Sequence, residues 1–372
     1  MELQKKILLV QLFSNGDCLY ATAVARQIKK DFPGCHITWA VATICKSIIT
    51  NNPYVDEIME VTSVAKNDEA SFRKFEKEIL QRKVSGEFDE IFITHLMGAN
   101  QAHYDGCIRS AIFHGYAGRV TESVQPVVRL TETEKESVKT FASDHRLETF
   151  KHILLFEFAP LSGQSKMTKE MAVQIAENLT ANGNVAVILS SGNKIQHSNK
   201  NIIDGSTLTL RETAGLTHHC TMLLGCSSGI TWISTSDAAK PLPMVQVLDP
   251  HSTWVNPISR DFERFGLDTS ALIEITKVDK DIIITCVKQA MVDFQKAKDI
   301  FHQKIPLHFK TTRKIVYNLL VYRDFSAIRK HIRINKEAYG NRFAFYWEVF
   351  LGIATAPFKL MYNLITKSTK AK

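Results

Sequence analysis

The sequence predicts an α/β protein built from two doubly wound parallel-sheet domains, followed by a basic helical segment. Three observations carry that expectation. Short apolar strands alternate with amphipathic helices, the alternation pauses in a polar stretch and restarts near residue 152, and the cations concentrate after residue 300. At 372 residues the chain exceeds one ordinary core and accommodates two domains with a remainder. Hydrophobic content of 45% and charged content of 23% are ordinary for a globular protein, so disorder is not the first expectation.

Residues 7–13, opening Ile7-Leu8-Leu9-Val10, read as a strand buried on both faces of a parallel sheet. A secretory leader is the poorer reading, because Gln11 and Ser14-Asn15-Gly16-Asp17 interrupt the run and no small-residue cleavage site follows. Residues 18–32 have helical periodicity, with Leu19, Ala23, Ile28 and Phe32 opposite Arg26, Lys29 and Lys30; Pro33-Gly34 stops the helix. Strand 36–41, helix 44–50, strand 58–61, the charged helix 71–82 and strand 90–94 continue the pattern, which implies right-handed crossovers. The polar residues 131–150 read as a helix plus linker, giving a first domain of 1–150. A second domain, 151–300, follows with strands 153–157, 185–189, 222–225 and 244–248 and helices 169–181, 211–220 and 230–239. Ligands of such sheets bind beyond the carboxyl ends of the strands, so the chemistry is expected in those loops.

Seven scattered cysteines with no C-x-x-C pair indicate reduced thiols, neither a disulfide framework nor a structural zinc site. No D-x-D sits at a strand end and no His, Cys and Glu share ligand spacing, so no metal and no other cofactor is expected. No apolar run approaches the roughly 20 residues of a spanning helix. The net charge of +8 is uneven: residues 301–372 hold 14 Lys/Arg against 3 Asp/Glu, whereas the first 300 hold 32 against 35. A basic tail on a near-neutral body argues against a nucleic-acid-binding core.

Three turns are candidates for chemistry. In Ser14-Asn15-Gly16-Asp17, Gly16 permits a tight turn, and Asp17 lands at a helix N-terminus, where the helix favours an ionised carboxylate. Asp17 is either an ordinary cap, the commoner use of Asp there, or a base taking a proton from an attacking hydroxyl. In Pro160-Leu161-Ser162-Gly163-Gln164-Ser165-Lys166, the small residues and Lys166 suit a diphosphate, although Gly/Ser loops are also the usual strand-to-helix connection. In Gly225-Cys226-Ser227-Ser228-Gly229, free N–H groups at a helix start make an anion site, or Ser228 is simply the N-cap.

The segment from Ile7 through Asp17 to Pro33, together with Asn52-Pro53-Tyr54-Val55-Asp56-Glu57, resembles the opening of the family 9 glycosyltransferases, the lipopolysaccharide heptosyltransferases. The resemblance extends over roughly residues 5–250. It implies two Rossmann-like domains facing a central cleft, the GT-B fold, and inverting, metal-independent transfer from a nucleotide-sugar to a lipopolysaccharide-core or other lipid-linked cell-surface glycan. It also implies a base at Asp17 and a phosphate loop at Lys166. Ser227 stands where the family has Asp, and Trp232 where it has His. These departures keep open a non-catalytic scaffold of the same fold, alongside a nucleotide-sugar epimerase.

On this reading the donor is held by Ser162, Gly163, Ser165, Lys166, Ser227, Ser228 and Gly229, with Ser190 and Gly192 at the cleft edge for base or ribose. The acceptor would meet Asn15, Gly16, His95, His103 and Arg119, although an isolated His is more often a structural hydrogen-bonder and a surface Arg is commonplace. The tail, residues 301–372, interleaves cations with aromatic side chains. It suits an anionic membrane surface, and a mixture is expected: part of the segment packs back onto the first domain, while Trp347 to Ile365 touches membrane or a partner. Pro357 should kink or break its last helix. The expected location is the cytoplasm of a bacterium, peripheral on the inner membrane.

Overall fold

The structure, a computed structural model, describes residues 4–158, 163–252, 254 and 256–370, with side chains of the last helix described as far as residue 357. Its first sheet is parallel, in the order β3-β2-β1-β4. It forms from β1 (Lys6–Val10), α1 (Asn15–Asp31), β2 (His36–Ala42), α2 (Lys46–Ile49), β3 (Glu57–Val61), α3 (Glu69–Val84) and β4 (Glu90–Ile93). Leu8 pairs with Thr38 on one side and Ile91 on the other, so β1 is central; Ile7 through Val10 are all fully buried. Between the sheets run α4 (Ile108–Phe113) and α5 (Glu132–Asp144), the latter opened by a reciprocal capping box of Thr131 and Glu134.

The second sheet has six parallel strands in the order β10-β9-β8-β5-β6-β7. Its elements are β5 (His152–Glu157), α6 (Lys169–Thr180), β6 (Val185–Ser190), β7 (Ile202–Asp204), α7 (Leu210–Leu216), β8 (Met222–Gly225), α8 (Gly229–Ile233), β9 (Met244–Val247), α9 (Ile258–Arg264), β10 (Leu272–Ile275), α10 (Lys280–Val292) and α11 (Phe294–Phe301). Strands β7 and β10 are absent from the sequence reading: β7 has three residues, and in β10 the acid Glu274 interrupts the apolar run. Helix α8 stops at Ile233, six residues before the expected end. Ser234 and Thr235 turn their hydroxyls back onto the carbonyls of Ile230 and Trp232, and Asp237 is drawn away to accept from the Val128 N–H.

The two halves meet along a buried seam in which α1 packs on α8. Arg211 of α7 reaches back to Glu134 at 2.6 Å and to the Thr50 carbonyl at 2.7 Å. The Arg211 hydrogen bond holds the Glu134 carboxyl down at about 2. The chain ends in α12 (Lys310–Val321), α13 (Phe325–Tyr339) and α14 (Phe343–Lys370). These helices return to the first domain. Asn318 donates to Gln101, Asn335 to the Tyr104 carbonyl and Tyr339 to the Asp105 carbonyl, while His331 bonds the Ala102 carbonyl at 3.2 Å. Helix α14 continues through Pro357, so of the kink or break expected there the break does not occur. A proline removes a single i to i−4 hydrogen bond, a loss that one strong packing face can offset. That face is supplied by Phe345, Val349 and Gly352, laid against Val316 of α12.

Candidate functional site

The Gly-Asp turn emerges from the carboxyl end of β1. Ser14 occupies the N-cap position of α1 with φ 69° and makes no side-chain cap bond; its carbonyl accepts from the Cys18 N–H at 2.9 Å. A serine in that left-handed region is strained, and such strain gathers at functional turns. Asp17 therefore lies in the first helical turn and is not the cap. Burial pushes its carboxyl up from 3.8 to about 7, with the Lys66 ammonium pulling back. The residue as a whole is nonetheless only partly buried. A carboxylate near neutrality is suited to accept a proton at physiological pH.

The facing turn joins β8 to α8. Ser227 is the second strained serine, at φ 55°. Its N–H donates to Gln246 Oε1 at 2.8 Å, its hydroxyl to the Asn256 carbonyl at 2.7 Å, and its carbonyl accepts from Gln164 Nε2 at 2.7 Å. Those polar groups are therefore engaged within the protein, so the donor contact expected of the Ser227 side chain gives way to a structural one. Ser228 and Gly229 remain partly exposed on the turn. Beneath it, Glu157, the last residue of β5, accepts from the Thr231 hydroxyl at 2.6 Å and the Cys226 N–H at 3.4 Å; burial raises its pKa.

Gln164 ties three loops together. Besides holding Ser227, it accepts from the Asn256 N–H through its side chain at 2.7 Å and from the Asp249 N–H through its carbonyl at 2.8 Å. Next to it, Lys166 extends into solvent and pairs with Asp249 at 3.0 Å; the bond from the His251 N–H and that from Lys166 hold the Asp249 carboxyl down. Gly163, at φ 69°, and Gly192 have open space where a side chain would begin, while Ser190 is buried at the end of β6. Ser165 accepts from the Met167 N–H at 3.3 Å. Ser162 lies outside the described residues.

The two turns touch. A side chain on Gly229 would start 3.5 Å from Asn15 Cβ, and one on Gly16 would start 3.3 Å from Trp232 Cδ1. Trp232 meets Tyr20 of α1 edge to face, with ring centroids 4.9 Å apart. The Arg109 guanidinium lies 4.7 Å from the Tyr20 ring centre and 5.7 Å from that of Trp232, and pairs with Asp261 at 3.0 Å, both charges buried. Asn15 and Gly16 are thus brought to the donor-side turn, and Asp17 follows them in the same turn of α1.

The other acceptor candidates do not join them. His95 is buried between the Phe13 and Phe72 rings, hydrogen-bonded to Gln11 Nε2 at 3.2 Å, and burial drives its pKa down to about 3; it is a core residue. His103 is buried too, with Nδ1 2.5 Å from Asn100 Oδ1, and burial likewise lowers its pKa to about 3. Arg119 lies between Tyr116, which donates to Asp31, and Thr121, which donates to Gln27. These contacts put it by the far end of α1, roughly 15 Å or more from Asp17 at 1.5 Å per helical residue.

Sequence reasoning passed over Gln164, Glu157, Gln246, Arg109 and Asp261. A legible signal was present for two of them: Glu157 closes the apolar run Ile153–Phe156, and Gln246 is the one polar residue of the otherwise apolar β9. Among the described residues, no group of three His, Cys, Asp or Glu is placed to hold a metal ion.

Two parallel-sheet domains meeting at the carboxyl ends of their strands, with the last helices returning to the first, define the GT-B fold. No family model and no curated protein matches this sequence. Solved structures share the fold at low identity. A family 9 glycosyltransferase of Veillonella parvula is 15% identical with a TM-score of 0.55, covering 79% of this chain and 99% of its own. The ADP-heptose lipopolysaccharide heptosyltransferase II of E. coli is 13% identical with a TM-score of 0.52, covering 78% and 99%. A protein of Listeria monocytogenes assigned as a UDP-N-acetylglucosamine 2-epimerase is 8% identical with a TM-score of 0.50, covering 89% and 97%.

Proposed function

We propose that this protein is an inverting glycosyltransferase that moves a sugar from a nucleotide-sugar to a lipopolysaccharide-core or other lipid-linked glycan without a catalytic metal. The observation that supports it most is the position of Asp17: a carboxylate raised to about 7, in the helix turn whose neighbours Asn15 and Gly16 touch Gly229 and Trp232 of the opposite domain. In the reaction, an acceptor hydroxyl oxygen bonds to the anomeric carbon from the face opposite the leaving group. The bond from that carbon to the phosphate oxygen breaks, its electron pair leaves with the nucleoside diphosphate, and the hydroxyl proton passes to Asp17. Lys166 and the backbone of residues 163–166 and 228–229 would receive the diphosphate charge, a task for preorganised donors in place of a cation.

The fold is shared with an epimerase-like protein, which gives a second reading: a nucleotide-sugar enzyme that acts without an acceptor. A screen of nucleotide-sugars by thermal shift, followed by assay of nucleoside diphosphate release with and without glycolipid acceptor, separates the two. Release that requires acceptor, is abolished by Asp17→Ala and leaves donor affinity intact is the expected result. Near-normal turnover by that variant would exclude the base role, and absence of any nucleotide ligand would leave only a scaffold.

A further inference from the structure

The C-terminal helical unit turns an apolar face to solvent. On α14, Phe343, Trp347, Phe350 and Ile353 are 81%, 48%, 56% and 49% exposed. Their spacing of four, three and three residues lines them along one side of the helix, opposite Phe345, Val349 and Gly352, which pack on α12. The first three rings form a ladder: Phe343 stacks on Trp347 with centroids 6.3 Å apart, and Trp347 on Phe350 at 5.5 Å. An exposed stripe of this size marks an interaction surface.

The charge of the unit says what it meets. Arg342 precedes the ladder, and Arg329, Lys330, Arg333 and Lys336 are exposed along α13. Glu348, the sole acid between residues 343 and 370, is engaged by Arg313 at 2.8 Å. A second copy of this chain would bring the same excess of 11 positive charges in residues 301–372 against itself. A negatively charged leaflet complements it, and aromatic rings flanked by cations are the pattern of a helix lying in the headgroup region. Among the described residues no helix is long and apolar enough to cross a membrane, so the contact would be one of lying on the surface.

We infer that α14 docks on an anionic lipid bilayer through the Phe343–Trp347–Phe350–Ile353 face, with α13 supplying the headgroup-binding cations. The bonds from His331, Asn335 and Tyr339 to residues 102, 104 and 105 make this unit continuous with the loop that follows β4, so docking fixes the orientation of the first domain to the bilayer. The inference goes beyond transfer chemistry and does not depend on it.

The test is co-sedimentation of the full chain with vesicles of phosphatidylcholine alone and of phosphatidylcholine doped with phosphatidylglycerol. Binding to the doped vesicles only, weakened by salt, is expected. Trp347→Ser/Phe350→Ser should lower the partition coefficient about tenfold or more without lowering the melting temperature, since it removes exposed rings. Phe343→Ser serves as an independent single variant should the double one fold poorly, and Arg329→Glu/Lys330→Glu should reduce binding while leaving the ladder intact. Equal binding to both vesicle types, wild-type binding by the ring variants, or a wild-type dimer in light scattering that those variants convert to monomer would overturn the inference, the last in favour of a second copy of the chain.

Discussion

Tyr20 of α1 and Trp232 of α8 meet edge to face, ring centroids 4.9 Å apart, at the point where the two sheets come together. Trp232 is also the neighbour of Gly16, and the absence of a side chain there is what lets the Gly-Asp turn lie against α8. A methyl on Gly16 would begin 3.3 Å from Trp232 Cδ1, and the indole cannot withdraw readily, with Tyr20 and the Arg109 guanidinium beside it. Gly16→Ala should therefore shift the turn by a few tenths of an ångström while the sheets stay folded. Its signature is a transfer rate lowered roughly tenfold or more by misplacement of Asp17, with little change in the unfolding midpoint. Steady-state kinetics beside a urea titration check both halves of that expectation.

Arg109 and Asp261 form a buried charge pair across the same seam, 1% and 0% exposed. Burial raises the Asp261 carboxyl, and Arg109 is the largest influence pulling it back. Removing the cation alone leaves a carboxylate with no route to water. Arg109→Met should cost about 3–5 kcal/mol of unfolding free energy, and Arg109→Met/Asp261→Leu should recover most of it, because an apolar pair of similar volume has no charge to desolvate. A single variant as stable as the wild type in urea would show that the pair is not what joins the domains.

The sequence made the architecture legible because each strand of a parallel sheet is a short apolar run, and residues 7–10, 153–156 and 222–224 are such runs. Asp17 it left open: taken alone the Gly-Asp turn reads more readily as a helix cap, and the base role comes from the resemblance to the family 9 glycosyltransferases. What it concealed is long-range. Nothing local distinguishes Arg109 from any other basic residue of an amphipathic helix, nor shows that Asp261 lies opposite it 152 positions later. His95 and His103 failed as acceptor contacts for the converse reason: a histidine after a strand looks alike in sequence whether it faces a cleft or packs between phenylalanines. The early end of α8 was likewise set by a partner, Val128, from the other domain.

Gln164 should control donor affinity without being part of the reaction. Its amide both donates, to the Ser227 carbonyl, and accepts, from the Asn256 N–H. Gln164→Glu keeps the acceptor and loses the donor, and Gln164→Ala loses both. Each lost buried bond leaves a partner unsatisfied, at a cost of about 1–3 kcal/mol, which is tenfold to a hundredfold if it falls on the ligand-bound loop arrangement. Calorimetry with the nucleotide-sugar found by screening should show weakening in the order Ala, then Glu, then wild type. Unchanged affinity with an unchanged fold would mean the three loops are held independently of Gln164.

Asp17 ties function to stability with a definite sign. Its carboxyl titrates at 3.8 when free and at about 7 in the fold, so between those values the folded state binds the proton more tightly than the unfolded chain. Stability contributed by the protonated form is complete below about pH 3.8, declines as the pH rises, and is gone above about pH 7. An asparagine in its place would carry no charge to desolvate. Asp17→Asn should therefore match the wild type in acid and exceed it at pH 8, by up to roughly 4 kcal/mol at 1.4 kcal/mol per pH unit and by less to the extent that water reaches the side chain. Transfer should run the other way: wild-type activity rises with pH through about 7 as the base ionises, and the variant stays inactive throughout. Unfolding curves of the two proteins at pH 4, 6 and 8, set beside the pH profile of transfer, test one carboxylate by two independent readouts. Parallel stability curves would place Asp17 in contact with solvent and remove the physical basis for its basicity.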